Sequence, residues 1–187
     1  MHACYYCTDL SVHIPDEATS MLHKMKGGGT LPARPDTLQI LTGLMGGISG
    51  IGLVAWLTRF TEVPLLMAPF GATCVLLFAA PGAPLAQPRN VIGGHLVSAL
   101  VGLVAMQLLG TGPLAMAIGV GVAIAAMQGL RVVHPPAGAN PLVVMMSGAV
   151  GYDFLLMPVL AGSVSLVLVA LLINNLGEGR RWPNYWL

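Results

Sequence analysis

The sequence predicts an all-α integral membrane protein with six membrane-entering helices. Two of them are short and broken by proline and glycine, and the six form a three-plus-three inverted repeat. Three observations carry this reading. First, 56% of the 187 residues are hydrophobic and 8% are charged, against about 25% charged residues in an ordinary soluble domain. Eight basic and seven acidic residues cannot cover a 19.4 kDa globule in water, and the mean hydropathy of +0.80 agrees. Second, the charges gather at the ends: between Leu38 and Leu176 only Arg59, Glu62, Arg89, Arg131 and Asp153 carry one. Third, the apolar stretch resolves into six segments. A soluble enzyme domain, a disordered chain and a coiled coil are excluded. A net charge of +1 supplies no phosphate-neutralising patch, so nucleic acid is not a partner. The lipid bilayer is.

Residues 1–37 read as a flexible cytoplasmic tail. The start holds Asp9, Asp16 and Glu17 and lacks the apolar core of a signal peptide. Gly27-Gly28-Gly29 before Pro32 and Pro35 has linker composition. Cys4-x-x-Cys7, with His2 and His13 nearby, has neither the strand–helix context of a redox motif nor the further ligands of a zinc site. Cys74 falls inside an apolar segment as an inert packing residue. No cofactor or metal is implied.

The membrane region runs from 38 to 176, and 177–187 form a short cytoplasmic end. Segment one, Leu38 to Leu57, is long enough to span, since about 20 residues cross about 30 Å of hydrocarbon. Segment two, Val63 to Ala80, is interrupted by Pro64, Pro69 and Gly71. Segments three, Val91 to Leu109, and four, Pro113 to Val133, are of spanning length. Segment five, Ala137 to Val150, is short, with Pro135, Pro136 and Pro141 at its start. Segment six, Phe154 to Leu176, spans again. If all six cross and the N-terminus is cytoplasmic, seven of the eight basic residues fall inside and only Arg59 outside, as the positive-inside rule requires. The alternative is four spans plus two re-entrant loops, which moves Arg89 and Arg131 outside and weakens the bias.

Three plus three segments invite a search for internal symmetry. Pro69-Phe70-Gly71-Ala72-Thr73 matches Pro136-Ala137-Gly138-Ala139-Asn140 at an offset of 67, the difference between 136 and 69. The same offset pairs Ser98 with Ser165, Gln107 with Asn174 and Leu109-Gly110 with Leu176-Gly177. Three crossings per unit invert the second unit. Broken segments at equivalent positions of inverted units are the sequence pattern of a transporter whose site lies at the repeat interface. A duplication kept for packing alone is the other reading.

Each broken segment starts a helix on proline inside the membrane. A helix start exposes free N–H groups and the positive end of the dipole. Gly71, Ala72, Gly138 and Ala139 let an anion approach the backbone, and Thr73 and Asn140 add hydrogen-bonding side chains. Arg89, His95, Arg131 and His134 are the ionisable neighbours, and Asn90 adjoins Arg89. This set favours a small anionic or polar substrate, and ionisable groups inside a membrane are functional candidates. His95, with Ser98 at i+3, is the candidate for a proton-coupled group. Duller roles stand beside these: Arg89 and Arg131 as topology anchors, the histidines as satisfied structural residues. Gly43-x-x-x-Gly47, Gly46-x-x-x-Gly50 and Gly119-x-x-x-Ala123 are close-packing faces and leave a homodimer open. The methionines, Met145 among them, are lipid-facing or core filler. Trp182, Tyr185 and Trp186 read as an interfacial aromatic anchor.

Val133-His134-Pro135-Pro136-Ala137-Gly138-Ala139-Asn140-Pro141 resembles the hallmark of the HPP family of integral membrane proteins. Phe70-Gly71-Ala72 and the run Leu85-Ala86-Gln87-Pro88-Arg89-Asn90-Val91-Ile92-Gly93-Gly94-His95 resemble its second signature, and Asn174-Asn175-Leu176 before Arg180-Arg181 resembles its C-terminal end. The resemblance covers roughly residues 38–187. It implies about four spans, fewer than the six segments read here. It also implies transport of nitrite or a similar small monovalent anion, as associated with plastid and cyanobacterial members. Asn140 departs from the expected small residue or threonine, and Pro141 follows it. The expectation is a non-enzymatic transporter of a small inorganic anion in a bacterial inner membrane, with both termini cytoplasmic. Substrate contacts are expected from Gly71, Ala72, Thr73, Arg89, Asn90, His95, Arg131, His134, Gly138, Ala139 and Asn140. An anion or polar-solute channel and a non-conducting scaffold or sensory module are the alternatives.

Overall fold

Proline stands in the first turn of every helix but the first and the last. It costs nothing there, because the N–H it lacks would have no partner inside the helix. A computed structural model describes residues 21, 25–26, 28–148, 151–176 and 179–186. Cys4, Cys7 and most of the proposed tail lie outside them. Residues 35–187 form one compact unit.

Helix α1, Thr37–Thr61, is the exception at the start: the Asp36 side chain caps it by accepting from Gln39 N at 2.6 Å. Helix α2, Ala68–Ala79, carries Pro69 in its first turn. Helix α3, Pro88–Leu109, and helix α4, Pro113–Gly129, both begin on proline. The fifth segment is a 3₁₀ turn, Pro135–Ala139, that passes into helix α5, Asn140–Ser147. The sixth starts as a 3₁₀ turn, Tyr152–Leu155, passes through a wide turn, Leu156–Leu160, and ends as helix α6, Ala161–Ile173. The described residues form helices and connections with no strand. Three runs are long and apolar enough to cross a bilayer: Thr37–Thr61, Pro88–Leu109 and Tyr152–Ile173. The sequence boundaries hold to a few residues for segments one, three and four. Segment two yields a helix only from Ala68, because Val63–Met67 stays outside it.

Polar contacts fix which ends meet. Gln39 Nε2 donates to Phe78 O at 2.8 Å, and Asn174 Nδ2 to Leu77 O at 3.0 Å. These bring the start of α1, the end of α2 and the end of α6 to one end of the bundle. Arg89 reaches Leu130 O and Arg131 O, adding the start of α3 and the end of α4 to that same end, called the first end below. At the second end Leu65 N donates to Thr58 Oγ1 at 3.1 Å, and Tyr152 Oη to Gln107 Oε1 at 3.0 Å. Met67 and Ser147 line one cavity there. Segment two thus has contacts at both ends, from Leu65 to Phe78, and segment five runs from His134 to Ser147. The 12 residues of α2 cover only about 18 Å at about 1.5 Å each, and the stretch before Ala68 extends the segment toward Thr58.

Glycines set the helix spacing. A Cβ on Gly46 would overlap the Phe78 ring, and one on Gly162 would overlap the Phe70 ring. On Gly102 it would meet Pro141 Cα at 2.7 Å, and on Gly119 the Met145 methyl at 2.9 Å. Helices approach most closely where side chains are absent. The Gly46–Gly50 and Gly119 faces thus pack within the chain, against α2 and α5 respectively. Met145 is core. Leu44, Ile48, Trp56 and Phe60 on α1 stay exposed, an apolar surface suited to lipid. Trp182 corrects the sequence reading of an aromatic anchor. It is 4% exposed and part of the core, its main-chain N–H donating to Asn175 Oδ1 at 2.9 Å. Tyr185 and Trp186 remain exposed.

Candidate functional site

Where α2, α3 and the Pro135–Asn140 turn meet, four polar side chains lie fully out of solvent: Thr73, His95, His134 and Asn140. Each is placed by a different local device. Pro69 starts α2 early enough that Thr73, one turn on, faces inward with its hydroxyl 3.2 Å from Pro69 O. His95 sits on the buried face of α3 that also carries Asn90, Val91, Gly94, Ser98 and Ala99. Gly94 lies under His134, where a Cβ would meet His134 Cβ at 2.7 Å and Val132 O at 2.8 Å. Any larger residue would push the two histidines apart. Asn140 is the first residue of α5, with Pro141 next in its first turn.

The hydrogen bonds form one chain. Thr73 Oγ1 is 2.8 Å from His95 Nε2 and 3.0 Å from His134 Nε2. His134 Nδ1 is 2.9 Å from Leu85 O. Asn140 Nδ2 lies 2.9 Å from His95 O and 3.1 Å from His95 Nδ1. The tautomers are assigned from this pattern. A carbonyl only accepts, so His134 Nδ1 carries the proton and its Nε2 accepts. The Thr73 hydroxyl donates to that nitrogen, and its lone pair accepts from His95 Nε2–H. His95 Nδ1 is then an acceptor, and an Asn140 amide proton serves it. With both histidines neutral and the Thr73 proton shared between His134 Nε2 at 3.0 Å and Pro69 O at 3.2 Å, the direction Asn140 → His95 → Thr73 → His134 → Leu85 follows from the carbonyl terminus. The rings of His95 and His134 lie 5.1 Å apart at 60°, and Phe70 meets His95 edge-on at 5.1 Å. Ser98 Oγ holds the turn in place by donating to Ala137 O at 2.5 Å.

The other expected site residues fall elsewhere. Arg89 and Arg131 stand at the first end. Arg89 caps the end of α4 through Leu130 O and Arg131 O at 3.3 and 3.4 Å, and Arg131 adopts a left-handed φ of 59° in the turn. Asn90 bridges Val133 O and Tyr185 Oη. Gly71 and Ala72 are exposed on the outer face of α2, away from the buried chain, and Gly138 and Ala139 are half-buried. Helix α2 begins at Ala68, more than a turn from Thr73, whereas α5 begins at Asn140 itself, so only the second helix start adjoins the four side chains. Sequence reasoning missed Leu85 O, Phe70 and the bridging role of Gln87, whose Oε1 accepts from Asn184 N at 2.8 Å. Backbone acceptors have no sequence signature. The Gln87 side chain, lodged in the second signature, does.

His95, His134 and Asn140 lie in the two signature stretches and Thr73 directly follows Phe70-Gly71-Ala72, and the chain matches the HPP transmembrane region over residues 32–183. The chain belongs to the HPP transmembrane family. A transmembrane protein of Dictyostelium discoideum is 37% identical over 174 residues, covering 87% of this chain and 56% of its own length. A second transmembrane protein of the same organism is 35% identical over 167 residues, covering 83% of this chain and 58% of its own. The chain thus spans a little more than half the length of these HPP relatives. No solved structure matches it. The family and the long apolar helices make it a multi-pass membrane protein.

Proposed function

We propose that this HPP protein transports a small monovalent anion, with nitrite the leading substrate, past the Thr73–His95–His134–Asn140 centre. The observation that carries the reading is the burial of four polar side chains from three elements in one hydrogen-bonded chain. A core kept for packing alone has no use for them, and polar and ionisable groups inside a membrane protein are functional candidates. Nitrite comes from the family resemblance; the geometry supports a small polar solute. Full burial of the centre favours a carrier with an occluded state over an open channel. Arg89, Arg131, Arg180 and Arg181 at the first end would raise the local anion concentration there, and the same bias supports a cytoplasmic first end in a bacterial inner membrane.

An inverted repeat is supported by how the helices pair. Helix α2 packs on α1 and α6, and α5 packs on α4 and α3. Exchanging α1 with α4, α2 with α5 and α3 with α6 preserves these pairings. The glycine contacts run parallel: Gly46 and Gly50 receive Phe78 and Cys74, and Gly119 receives Met145 and Pro141; Phe78 and Cys74 precede Met145 and Pro141 by the same 67 residues, while the glycines themselves do not keep that offset.

Reconstituted protein in liposomes tests the function. Saturable nitrite uptake, lost in His95→Ala, is the expected result. Flux no greater than in empty vesicles removes the transport reading and leaves a membrane scaffold. Flux linear in nitrite to high concentration replaces the carrier with a channel.

A further inference from the structure

The two ends of the bundle close over the centre by different means. At the first end the closure is made of main-chain and amide contacts. Residues 180–186 fold back over it, with Asn184 N donating to Gln87 Oε1 at 2.8 Å and Tyr185 Oη to Pro84 O at 2.8 Å, and Leu85 O receives His134. At the second end a cavity of about 680 Å³ lies between the start of α2, α5 and the run before α6. Leu66 and Met146 on its rim are exposed, so it opens outward. On each element its wall is followed, about a turn deeper, by a residue of the centre or of its cover. Ala68 lines it, and Thr73 lies five residues on, about 7.5 Å along a helix. Val143 lines it, and Asn140 lies three residues deeper along α5. Pro158 lines it, and Gly162 lies four residues deeper at the start of α6.

The residue that fills the gap is Phe70. It precedes Thr73 by three positions, so the two share a face of α2, Phe70 on the cavity side. Both are fully buried. The Phe70 ring meets His95 edge-on at 5.1 Å and rests on Gly162, where a Cβ would overlap it. A phenyl ring has no hydrogen bond to break, so only packing holds it there. The cavity beside it is walled mainly by apolar side chains. Such walls give a small anion no resting place, but they accept a phenyl ring that swings outward. We propose that Phe70 is the gate between the second-end cavity and the Thr73–His95–His134–Asn140 centre. With the ring on Gly162 the centre is closed. With the ring turned into the cavity, a solute from the second end reaches His95 and Thr73. The gate rests on the transport reading and adds to it a route and a moving part.

Access to His95 is the readout, and it needs no flux. Diethyl pyrocarbonate acylates unprotonated imidazole nitrogens that it can reach. Cleavage at Arg89 and Arg131 puts His95 and His134 in different tryptic peptides, so mass spectrometry follows each ring. Full-length protein in nanodiscs is treated near neutral pH, and the wild type should react slowly. A minor open state is ordinarily about 0.1–10% populated, so Phe70→Ala should speed acylation of His95 by about tenfold or more. Gly162→Ala keeps the ring but pushes it off its seat. It should act in the same direction, and it carries the test where Phe70→Ala does not fold. Gly46→Ala is the control: it displaces the Phe78 ring in the same way, near the first end, and should leave His95 as slow as in the wild type. Phe70→Ala/Val143→Trp, with an indole on the floor of the cavity, should return the rate toward wild type. No acceleration in the first two variants, an equal acceleration in Gly46→Ala, or one that survives Val143→Trp overturns the gate. Nitrite flux is judged separately. The expected labelling without flux removes transport and leaves a ring that closes the cavity, whereas unchanged labelling with saturable flux removes the gate and leaves transport.

Discussion

The two broken segments deliver equivalent residues to the same histidine by different routes. In the first, Pro69 starts α2 above the site, and Thr73 arrives one turn into a continuous helix. In the second, Pro135 and Pro136 support only a 3₁₀ turn, and Asn140 opens the short helix that follows, with Pro141 in its first turn. Thr73 joins both histidines through one oxygen. Asn140 clamps His95 alone, through His95 O and Nδ1. A shared Pro-x-Gly-Ala spacing therefore fixes where a side chain lands but not what it bonds. One segment supplies the link between the rings, and the other supplies the anchor.

Removing the group that both segments hold should have the largest effect. His95→Ala empties a buried site and removes one hydrogen bond each from Thr73 and Asn140. Unfolding in detergent should show a loss of about 3–5 kcal/mol, with nitrite flux abolished. A flux near wild type would mean that the anion does not pass this centre.

The next comparison separates link from anchor. Thr73→Val leaves His95 Nε2–H and His134 Nε2 without partners and should cost about 1–3 kcal/mol, whereas Thr73→Ser keeps the hydroxyl and should recover most of it. Asn140→Thr, which copies the first segment into the second, should lose the clamp on His95 and cost about 1–2 kcal/mol. Equal behaviour of Asn140→Thr and wild type would show that the two segments are interchangeable.

Packing gives a third contrast, smaller again. Gly102→Ala drives a methyl against Pro141 Cα at 2.7 Å, a backbone contact, whereas Gly50→Ala meets Cys74 Sγ and Leu166 Cδ2 at 3.2 Å. The first should lose about 1–2 kcal/mol and the second less than about 0.5 kcal/mol, measured by thermal unfolding. The smallest effect belongs to Gly71→Ala and Gly138→Ala, where an added methyl meets nothing within 4 Å. Stability should hold within about 0.5 kcal/mol and flux should be unchanged, because the side chains rather than the glycine backbone form the centre. A selective loss of flux would instead restore the backbone cradle expected from the sequence.

The limits of the sequence are visible in these same residues. Hydropathy and proline positions marked six segments because both act within a few residues of themselves. The 67-residue offset paired Thr73 with Asn140 for the same reason: it is a property of linear spacing. His95 and Ser98 were legible as one face of a helix. Which neighbour that face meets was not legible, since Ser98 bonds a backbone carbonyl and His134 arrives from 39 positions away, the difference between 134 and 95. Gly71 misled because a glycine that frees space for a ligand and one that lies on an outer face look identical in one dimension. Trp182 misled for a related reason: aromatic residues after a last span suit an interface equally well whether or not the chain folds back.

One feature of the centre reaches further than its geometry. The hydrogen-bond chain ends on Leu85 O, a main-chain atom that no side-chain substitution removes, so the ordering of protons along it is written into the backbone. His134 inherits its tautomer from that carbonyl, Thr73 its orientation from His134, and His95 its tautomer from Thr73. Substitutions around the centre can therefore weaken the order of the chain without inverting it.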